Sequence, residues 1–318
     1  MTQRPLTATV VLPSLNGTRT REALRSLAAQ TAPHETIVVD NASPDREVST
    51  ACEEFEFARA IEAGENLGFS RAVNLAAAEA TGEALILVND DARYDPDFVE
   101  RLVAALDPEA DVVAAAGVLR AERDESRIDS AGIEIDRTLL GFDYLYGQPL
   151  DVLTDRTPDP FGPTGGAAAY DREAFTRLGG FDDRIFAYFE DVDLALRMRL
   201  AGWDCRLAPT ARGTHAHAAT LGSGSARKNY LMGFARGYLL RKWGVVNPSR
   251  APATITREIV VCLGQGLVDR NLQGVRGRWA GWQAAARGTY PTEVVEATAT
   301  VGLFDGLARS AGRAGERS

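Results

Sequence analysis

Three cysteines, three histidines and three methionines are all that 318 residues contain. Cys52, Cys205 and Cys262 lie far apart and are odd in number, so neither a disulfide framework nor a C-x-x-C metal pair is available. That usage fits a reducing compartment, and a cytoplasmic location is expected. No apolar run approaches the roughly 18–20 residues that a membrane span needs. The run near the N-terminus is too short for a signal peptide, so the chain is expected not to be integral to a membrane. The phosphate-cradling pattern G-x-x-x-x-G-K-[ST] is missing, which excludes a P-loop nucleotide triphosphatase. Basic charge is also scarce. Against 44 Asp and Glu stand 35 Lys and Arg, a net of −9, which argues against nucleic acid as a partner.

What the chain does have is an ordinary globular composition, 45% hydrophobic and 25% charged. Its length suits one large α/β domain with an appendage, or two domains. The charge is uneven. Residues 1–224 carry 21 basic against 38 acidic groups, and residues 225–318 carry 14 against 6. An acidic body is followed by a basic C-terminal third.

The first hundred residues alternate apolar runs with helical stretches. Strands are expected at 7–13, 35–41, 58–62 and 84–88, with helices near 19–30, 46–56 and 70–80. Strands separated by helices of this length imply βαβ units and a parallel sheet, with ligand sites at the strands' C-terminal ends. Asp40 and Asn41 fall at one such end, and Asn89, Asp90 and Asp91 at another. The polar, Asp-, Gly- and Pro-rich stretch 120–163 reads as a loop-and-hairpin excursion over the site. A glycine-rich turn containing Gly165 and Gly166 follows, then a strand and two helices, the second from about Glu190 to Gly202. From about 225 the pattern is helical, and the tail 310–318 is expected to be disordered.

Two adjacent carboxylates at the end of a buried strand are costly unless a cation sits beside them. Hard cations such as Mg²⁺ and Mn²⁺ take one or two carboxylates together with phosphate oxygens and waters. Asn89-Asp90-Asp91 therefore suits a metal–diphosphate site, although an exposed acidic turn would look the same. Glu190-Asp191 at a helix start suits a general base as well as a simple cap. His215 and His217, alternating along a strand, point to one face and suit either metal ligation or a structural role.

The order of the motifs narrows this. "LPSLNG" (12–17), "VVDNASPD" (38–45), "ENLGFSRAVNLAAAEATG" (65–82), "VNDDA" (88–92), "FAYFEDVDLALRMRLAG" (186–202) and "THAH" (214–217) occur in sequence. Over residues 6–243 the chain resembles the family 2 inverting glycosyltransferases, in particular the rhamnosyltransferase-like branch of cell-surface polysaccharide enzymes. The resemblance implies an α/β GT-A fold: a Rossmann-like, mostly parallel sheet flanked by helices, with a C-terminal helical extension. It implies a catalytic domain over 1–224, with a donor half to about 118 and an acceptor half from about 119. A basic helical region over 225–318 follows.

Transferred residue by residue, the resemblance gives Asp40 the nucleobase and lays Pro13 to Asn16 under the nucleoside, with Asn41 beside them. Asn66, Gly68 and Asn74 would shape the donor pocket and Arg71 would face the pyrophosphate. Gly68 would equally serve a tight turn, and Asn74 a backbone cap. The D-x-D metal motif of the family stands here as Asn89-Asp90-Asp91, so its first acid is an amide. Asp91 becomes the expected metal ligand and Asp90 a contact to ribose or metal-bound water. His215, with His217 second, would complete coordination of Mg²⁺ or Mn²⁺. Asp191 would be the base, with Glu190 orienting the acceptor, and Gly165 and Gly166 would lie on the acceptor side.

The implied partners are a dTDP- or UDP-sugar, dTDP-L-rhamnose favoured, and a glycan or lipid-linked acceptor. Nucleotidyltransferases open with a glycine- and arginine-rich loop, whereas "PSLNGTRTRE" has one glycine. A non-catalytic sugar-binding module would not need both acid pairs. The Q-x-x-R-W signature of processive synthases is missing, since Val275 stands where its Gln would precede Arg278-Trp279. In 225–290, Arg227, Lys228, Arg236, Arg241 and Lys242 are interleaved with Tyr230, Leu231, Phe234, Tyr238, Leu239 and Trp243. That pattern suits peripheral contact with an anionic membrane, or packing on the catalytic domain or on a second subunit as a homodimer.

Overall fold

In β1 (Ala8–Ser14), Val10, Val11 and Leu12 are all buried, an unbroken run instead of an alternation. Such a strand must be covered on both faces. The computed structural model, which describes residues 6–215, 225–302 and 305–306, supplies that cover. His217 and the tail 310–318 lie outside the described residues.

The first half follows the expected alternation: α1 (Gly17–Ala28), β2 (His34–Asp40), α2 (Glu47–Cys52), β3 (Ala58–Glu62), α3 (Gly68–Glu79) and β4 (Ala84–Val88). Helix α1 starts two residues earlier than the sequence pattern suggests, because Asn16 Oδ1 accepts the Arg19 N–H and caps it. Helix α2 is shorter than the expected 46–56. The chain leaves it after Cys52 so that Phe55 and Phe57 can pack on the core under β1 and β2.

Then come β5 (Ala92–Tyr94), α4 (Phe98–Ala105), β6 (Val112–Ala121), β7 (Asp124–Ser130) and the hairpin β8 (Ile133–Ile135)–β9 (Gly141–Asp143). They are followed by β10 (Ala167–Asp171), α5 (Arg172–Arg177), α6 (Glu190–Leu200) and β11 (Asp204–His215). The main sheet runs β3-β2-β1-β4-β10-β6-β11-β5, with β7 on β6. Pairing is parallel through β3-β2-β1-β4 and again between β6 and β11, while β10 is antiparallel to both its neighbours. The C-terminal ends of β1, β2 and β4 thus open side by side. The same order brings the end of β11 back to the segment after β4, where His215 pairs with Ala92.

Helices α7 (Ala226–Lys242), α8 (Ala251–Val268), α9 (Gln273–Ala284) and α10 (Thr292–Thr298) complete the chain. None of the described helices is long and apolar enough to cross a membrane. Helix α7 is not the free amphipathic face that its sequence allows. Tyr238, Leu239 and Leu240 share one apolar cluster with Ile133 and Ile135 of β8 and with Val192, Ala195 and Leu196 of α6. Lys242 Nζ lies 2.7 Å from both Asp182 Oδ2 and Asp193 Oδ1. Arg236, fully buried, donates to Glu258 at 2.7 Å and to the Thr138 carbonyl at 2.8 Å. Arg236 and Lys242 of α7 are thus spent on packing the helix against the rest of the protein, and the packing alternative holds for this part of it.

Candidate active site

A cleft of about 630 Å³ opens over the ends of β1 and β4, and most of the expected residues meet there. Pro13, Asn41, Asn66, Gly68, Asn89, Asp90, Asp91, Gly165, Gly166, Glu190, Asp191 and His215 all line it. Its floor is built by short polar links between strand ends. Ser14 Oγ donates to Asp90 Oδ2 at 2.5 Å. Asn41 accepts the Leu67 N–H at 2.7 Å and donates to the Gly68 carbonyl at 3.1 Å, which fixes the start of α3 against β2. Asn66 Oδ1 accepts the Gly68 N–H at 3.0 Å. The phenol of Tyr94 accepts from the Asn89 N–H and donates to the Gly166 carbonyl, tying the acidic turn to the glycine pair.

The acidic turn and β11 form a three-residue line. His215 Nδ1 donates to Asp129 Oδ2 at 2.8 Å, and its Nε2 lies 3.2 Å from Asp91 Oδ1. Burial by itself would lower the imidazole pKa, but the two carboxylates outweigh it and push it up to about 10. Burial would likewise raise Asp91, yet His215 and the charge of Arg19 hold it below its ordinary value. Asp90 goes the other way: burial first, then the neighbouring charge of Asp91, push it up to about 6 against the Ser14 hydrogen bond.

Asp91 and His215 fit a hard divalent cation. A cation on Nε2 would displace the proton shared with Asp91, and Asp129 already fixes the tautomer that leaves Nε2 free to ligate. No cluster of three or more His, Cys, Asp or Glu suited to a metal occurs among the described residues. A two-residue donor set completed by phosphate oxygens and water is what Mg²⁺ or Mn²⁺ accepts at a nucleotide site.

The opposite acid pair sits at the start of α6. Tyr188 and Phe189 both take left-handed backbone conformations, φ 71° and 64°, costing about 1–2 kcal/mol each. This strained turn delivers Glu190 and Asp191 into the cleft at the first positions of the helix. Both carboxyls are raised, Glu190 by burial and then by the charge of Asp191, Asp191 by burial and then by Asp143. Glu190 Oε2 is buried without a hydrogen-bond partner. Two like charges in one buried site favour a pair that carries a proton. The glycine pair packs between the two acid sites: a Cβ at Gly165 would lie 2.9 Å from the Phe69 ring and 3.8 Å from Glu190 Oε1, and one at Gly166 would lie 2.7 Å from Asn89 Nδ2. A larger residue at either position would have to displace the Phe69 ring or the Asn89 amide.

Four expected residues lie elsewhere. Asp40 is 3% exposed and does not line the cleft; its carboxylate accepts from the N–H and hydroxyl of both Ser43 and Ser49. A buried anion at a strand end needs donors, and this loop supplies them, so Asp40 organises residues 41–49. Asn16 is the cap of α1. Asn74 clamps residues 181–183, donating to the Phe181 carbonyl and Asp183 and accepting the Phe181 N–H. It therefore supports the approach to the strained turn from behind. Arg71 is solvent-exposed, 3.8 Å from Glu65, and does not reach the cleft.

Other residues take their places. Arg227 and Lys228, at the start of α7, line the cleft and lie over the rings of Phe186 and Tyr188, at 5.8 Å and 5.6 Å. Asp129, Tyr94 and Asp143 carry no local signal in the sequence, whereas Ser14 lies within the Pro13–Asn16 turn expected under the nucleoside.

Residues 9–179 match the profile of the Glycosyl transferase family 2, and the chain belongs to that family. Its relatives sharpen the likeness. It is 30% identical over 224 residues to the N-acetylglucosaminyl-diphospho-decaprenol L-rhamnosyltransferase of Mycobacterium tuberculosis, across 63% of this chain and 72% of that one. It is 29% identical over 194 residues to the O-antigen biosynthesis protein RfbC of Myxococcus xanthus, across 57% of this chain and 15% of that one. Among solved structures, GalNAc-T7 with UDP, GalNAc and Mn²⁺ superposes with a TM-score of 0.60 at 16% identity. That match covers 76% of this chain and 49% of the other, so this chain spans about half its length. The mannosyltransferase PcManGT of Pyrobaculum calidifontis, in complex with GDP-Man and Mn²⁺, gives 0.56 at 20% identity, over 99% of this chain and 85% of that one. The fold is GT-A with C-terminal helices.

Proposed function

We propose that this glycosyltransferase moves a sugar, with inversion, from a dTDP- or UDP-activated donor to a glycan or lipid-linked acceptor in cell-surface polysaccharide synthesis. The observation that carries the reading is the placement of two acid sites in one cleft, Asp91–His215 and Glu190–Asp191, with Gly165 and Gly166 packed between them. dTDP-L-rhamnose is the favoured sugar donor, since the relative that matches over most of its own length is an L-rhamnosyltransferase.

A divalent cation, Mg²⁺ or Mn²⁺, held by Asp91 and His215, would neutralise charge on the departing diphosphate. Arg227 and Lys228 face the same cleft and add positive charge for that leaving group. Asn41, Asn66 and Gly68 shape the wall on which the nucleoside lies. Asp191 takes the proton from the acceptor hydroxyl as its oxygen attacks the anomeric carbon. Glu190, neutral and buried, donates toward the acceptor or shares the proton with Asp191. Attack from the face opposite the diphosphate inverts the anomeric centre in a single displacement.

The test is a donor panel of dTDP-rhamnose, UDP-hexoses and GDP-mannose, read by transfer to a polyprenyl diphosphate-linked sugar with Mg²⁺, with Mn²⁺ and with chelator. Metal-dependent turnover of a pyrimidine donor supports the reading. A preference for the GDP-sugar, or full activity in chelator, refutes it.

A further inference from the structure

Helix α8 is built inside out. Thr254 and Arg257 are buried, and Glu258 accepts from Arg236 and Arg278 at 2.7 Å each, so the side facing the protein is polar. The outward side carries Ile255, Ile259, Leu263 and Leu267, four residues apart and 50, 53, 60 and 79% exposed. Leu272 on the following turn is 66% exposed, and Trp279 on α9 is 65% exposed. An exposed apolar row of this kind marks a place where water is to be excluded by something else.

The charge around it says by what. Arg270, Arg276 and Arg287 are exposed and make no ion pair among the described residues. Within 251–290 the acids are Glu258, spent on Arg236 and Arg278, and Asp269, which accepts from Asn229. A two-fold contact of this face with a second copy would set arginine against arginine with no acid to receive it. An anionic lipid surface takes both features: leucines and tryptophan at the acyl boundary, arginines on headgroup phosphates.

The position of the face fits that use. The turn between α8 and α9 is tied to α7 by Asn229, whose Nδ2 donates to Asp269 at 2.8 Å and Asn271 at 3.3 Å. Asn229 immediately follows Arg227 and Lys228, which line the cleft. We infer that the α8–α9 face seats the enzyme on an anionic bilayer surface with the cleft mouth beside the lipid. The purpose, taking a lipid-linked acceptor from that surface, rests on the function proposed above; the binding itself does not.

Flotation of the full chain with phosphatidylcholine vesicles containing phosphatidylglycerol, and with pure phosphatidylcholine vesicles, tests it. The wild type should float with the anionic vesicles and be released by salt. The pairs Leu263→Glu with Leu267→Glu, and Arg270→Glu with Arg276→Glu, should each bind at least about tenfold more weakly. Their Mn²⁺-dependent dTDP affinity should be unchanged, which shows that the fold and cleft persist. If dTDP binding is absent from every form, the functional reading fails while the vesicle result stands. The inference is overturned if the wild type stays unbound or binds both vesicles equally. It is also overturned if the wild type is a dimer that both variant pairs convert to monomer.

Discussion

His215 Nδ1 donates to Asp129 Oδ2 at 2.8 Å, joining residues 86 positions apart. Asp129 is not among the residues lining the cleft; it orients the ring whose other nitrogen faces Asp91. Asp129→Asn should weaken Mn²⁺ binding about 10- to 100-fold, as loss of an outer partner of a metal-bound histidine does elsewhere. Titration of Mn²⁺ in the presence of dTDP measures this. A merely structural Asp129 would lower thermal stability and leave the metal affinity of the folded fraction unchanged.

Asp191 and Glu190 share the start of α6 but have different surroundings: Asp191 Oδ1 accepts the Val192 N–H at 2.8 Å, and Glu190 Oε2 accepts nothing. Asp191→Asn should lower transfer by about 10²–10⁴, the usual worth of a general base. Donor affinity should change little, because the base acts on the acceptor. Loss of donor binding with turnover retained would remove Asp191 from the role.

The raised pKa values of this pair set a pH profile. A base must be ionised to act, and burial holds both carboxyls above the ordinary range of about 4. Turnover should therefore fall on acidification well before pH 4 is reached, and Glu190→Gln should leave that acid limb in place, because the carboxyl it replaces is still neutral where Asp191 titrates. The stability sign is opposite to that of a salt-bridged acid. With folded pKa values raised, the native state binds the extra proton, so this pair's contribution is present at acid pH and lost as pH rises through the folded values. Initial rates against pH, for wild type and Glu190→Gln, check the first statement, and thermal melts check the second.

The sequence makes the strand ends legible because their apolar runs stop abruptly at polar residues: Val88 before Asn89-Asp90-Asp91, and Val39 before Asp40-Asn41. Both acid pairs and His215 could be read for the same reason: they sit at the boundaries of elements. What could not be read depends on partners distant in sequence or on local competition. Asn74 meets Phe181 across 107 residues, and Asp129 meets His215 only because β6 pairs with both β7 and β11. Asp40 and Asn16 lie within the expected motifs, but nearby backbone and hydroxyl donors claim their side chains first. The C-terminal helices mislead differently. Tyr238 and Leu239 of α7 and Ile259 and Leu263 of α8 look alike in sequence, and only tertiary packing on β8 and α6, with Lys242 docked on Asp182 and Asp193, buries the first pair.

Gly68 has φ +78°, and a Cβ there would run into the Phe186 carbonyl and lie 2.7 Å from its ring. The Phe69 N–H donates to that same carbonyl at 2.7 Å, so α3 and the segment leading to Tyr188–Phe189 are in direct backbone contact. Gly68→Ala should cost about 1–3 kcal/mol through left-handed strain and overpacking. It should also weaken donor binding by displacing residues 186–189. Urea denaturation and dTDP titration read the two effects, and a variant with wild-type stability would show that the close approach is not maintained in solution.

Arg227 and Arg71 offer a direct comparison, because the family resemblance gives the diphosphate to Arg71, whereas Arg227 is the arginine that lines the cleft. Arg71 is on the outer side of α3 near Glu65, whereas Arg227 lines the cleft over the Phe186 ring. A charge-assisted contact to phosphate is worth about 1.5–3 kcal/mol. Arg227→Ala should therefore weaken dTDP binding by about tenfold or more, and Arg71→Ala should leave it within about twofold. Binding of the unphosphorylated nucleoside, thymidine, should be the same in both variants, since the lost contact is to the diphosphate. If Arg71→Ala proves the more damaging, the start of α7 does not serve the leaving group, and the cation for the diphosphate must come from α3.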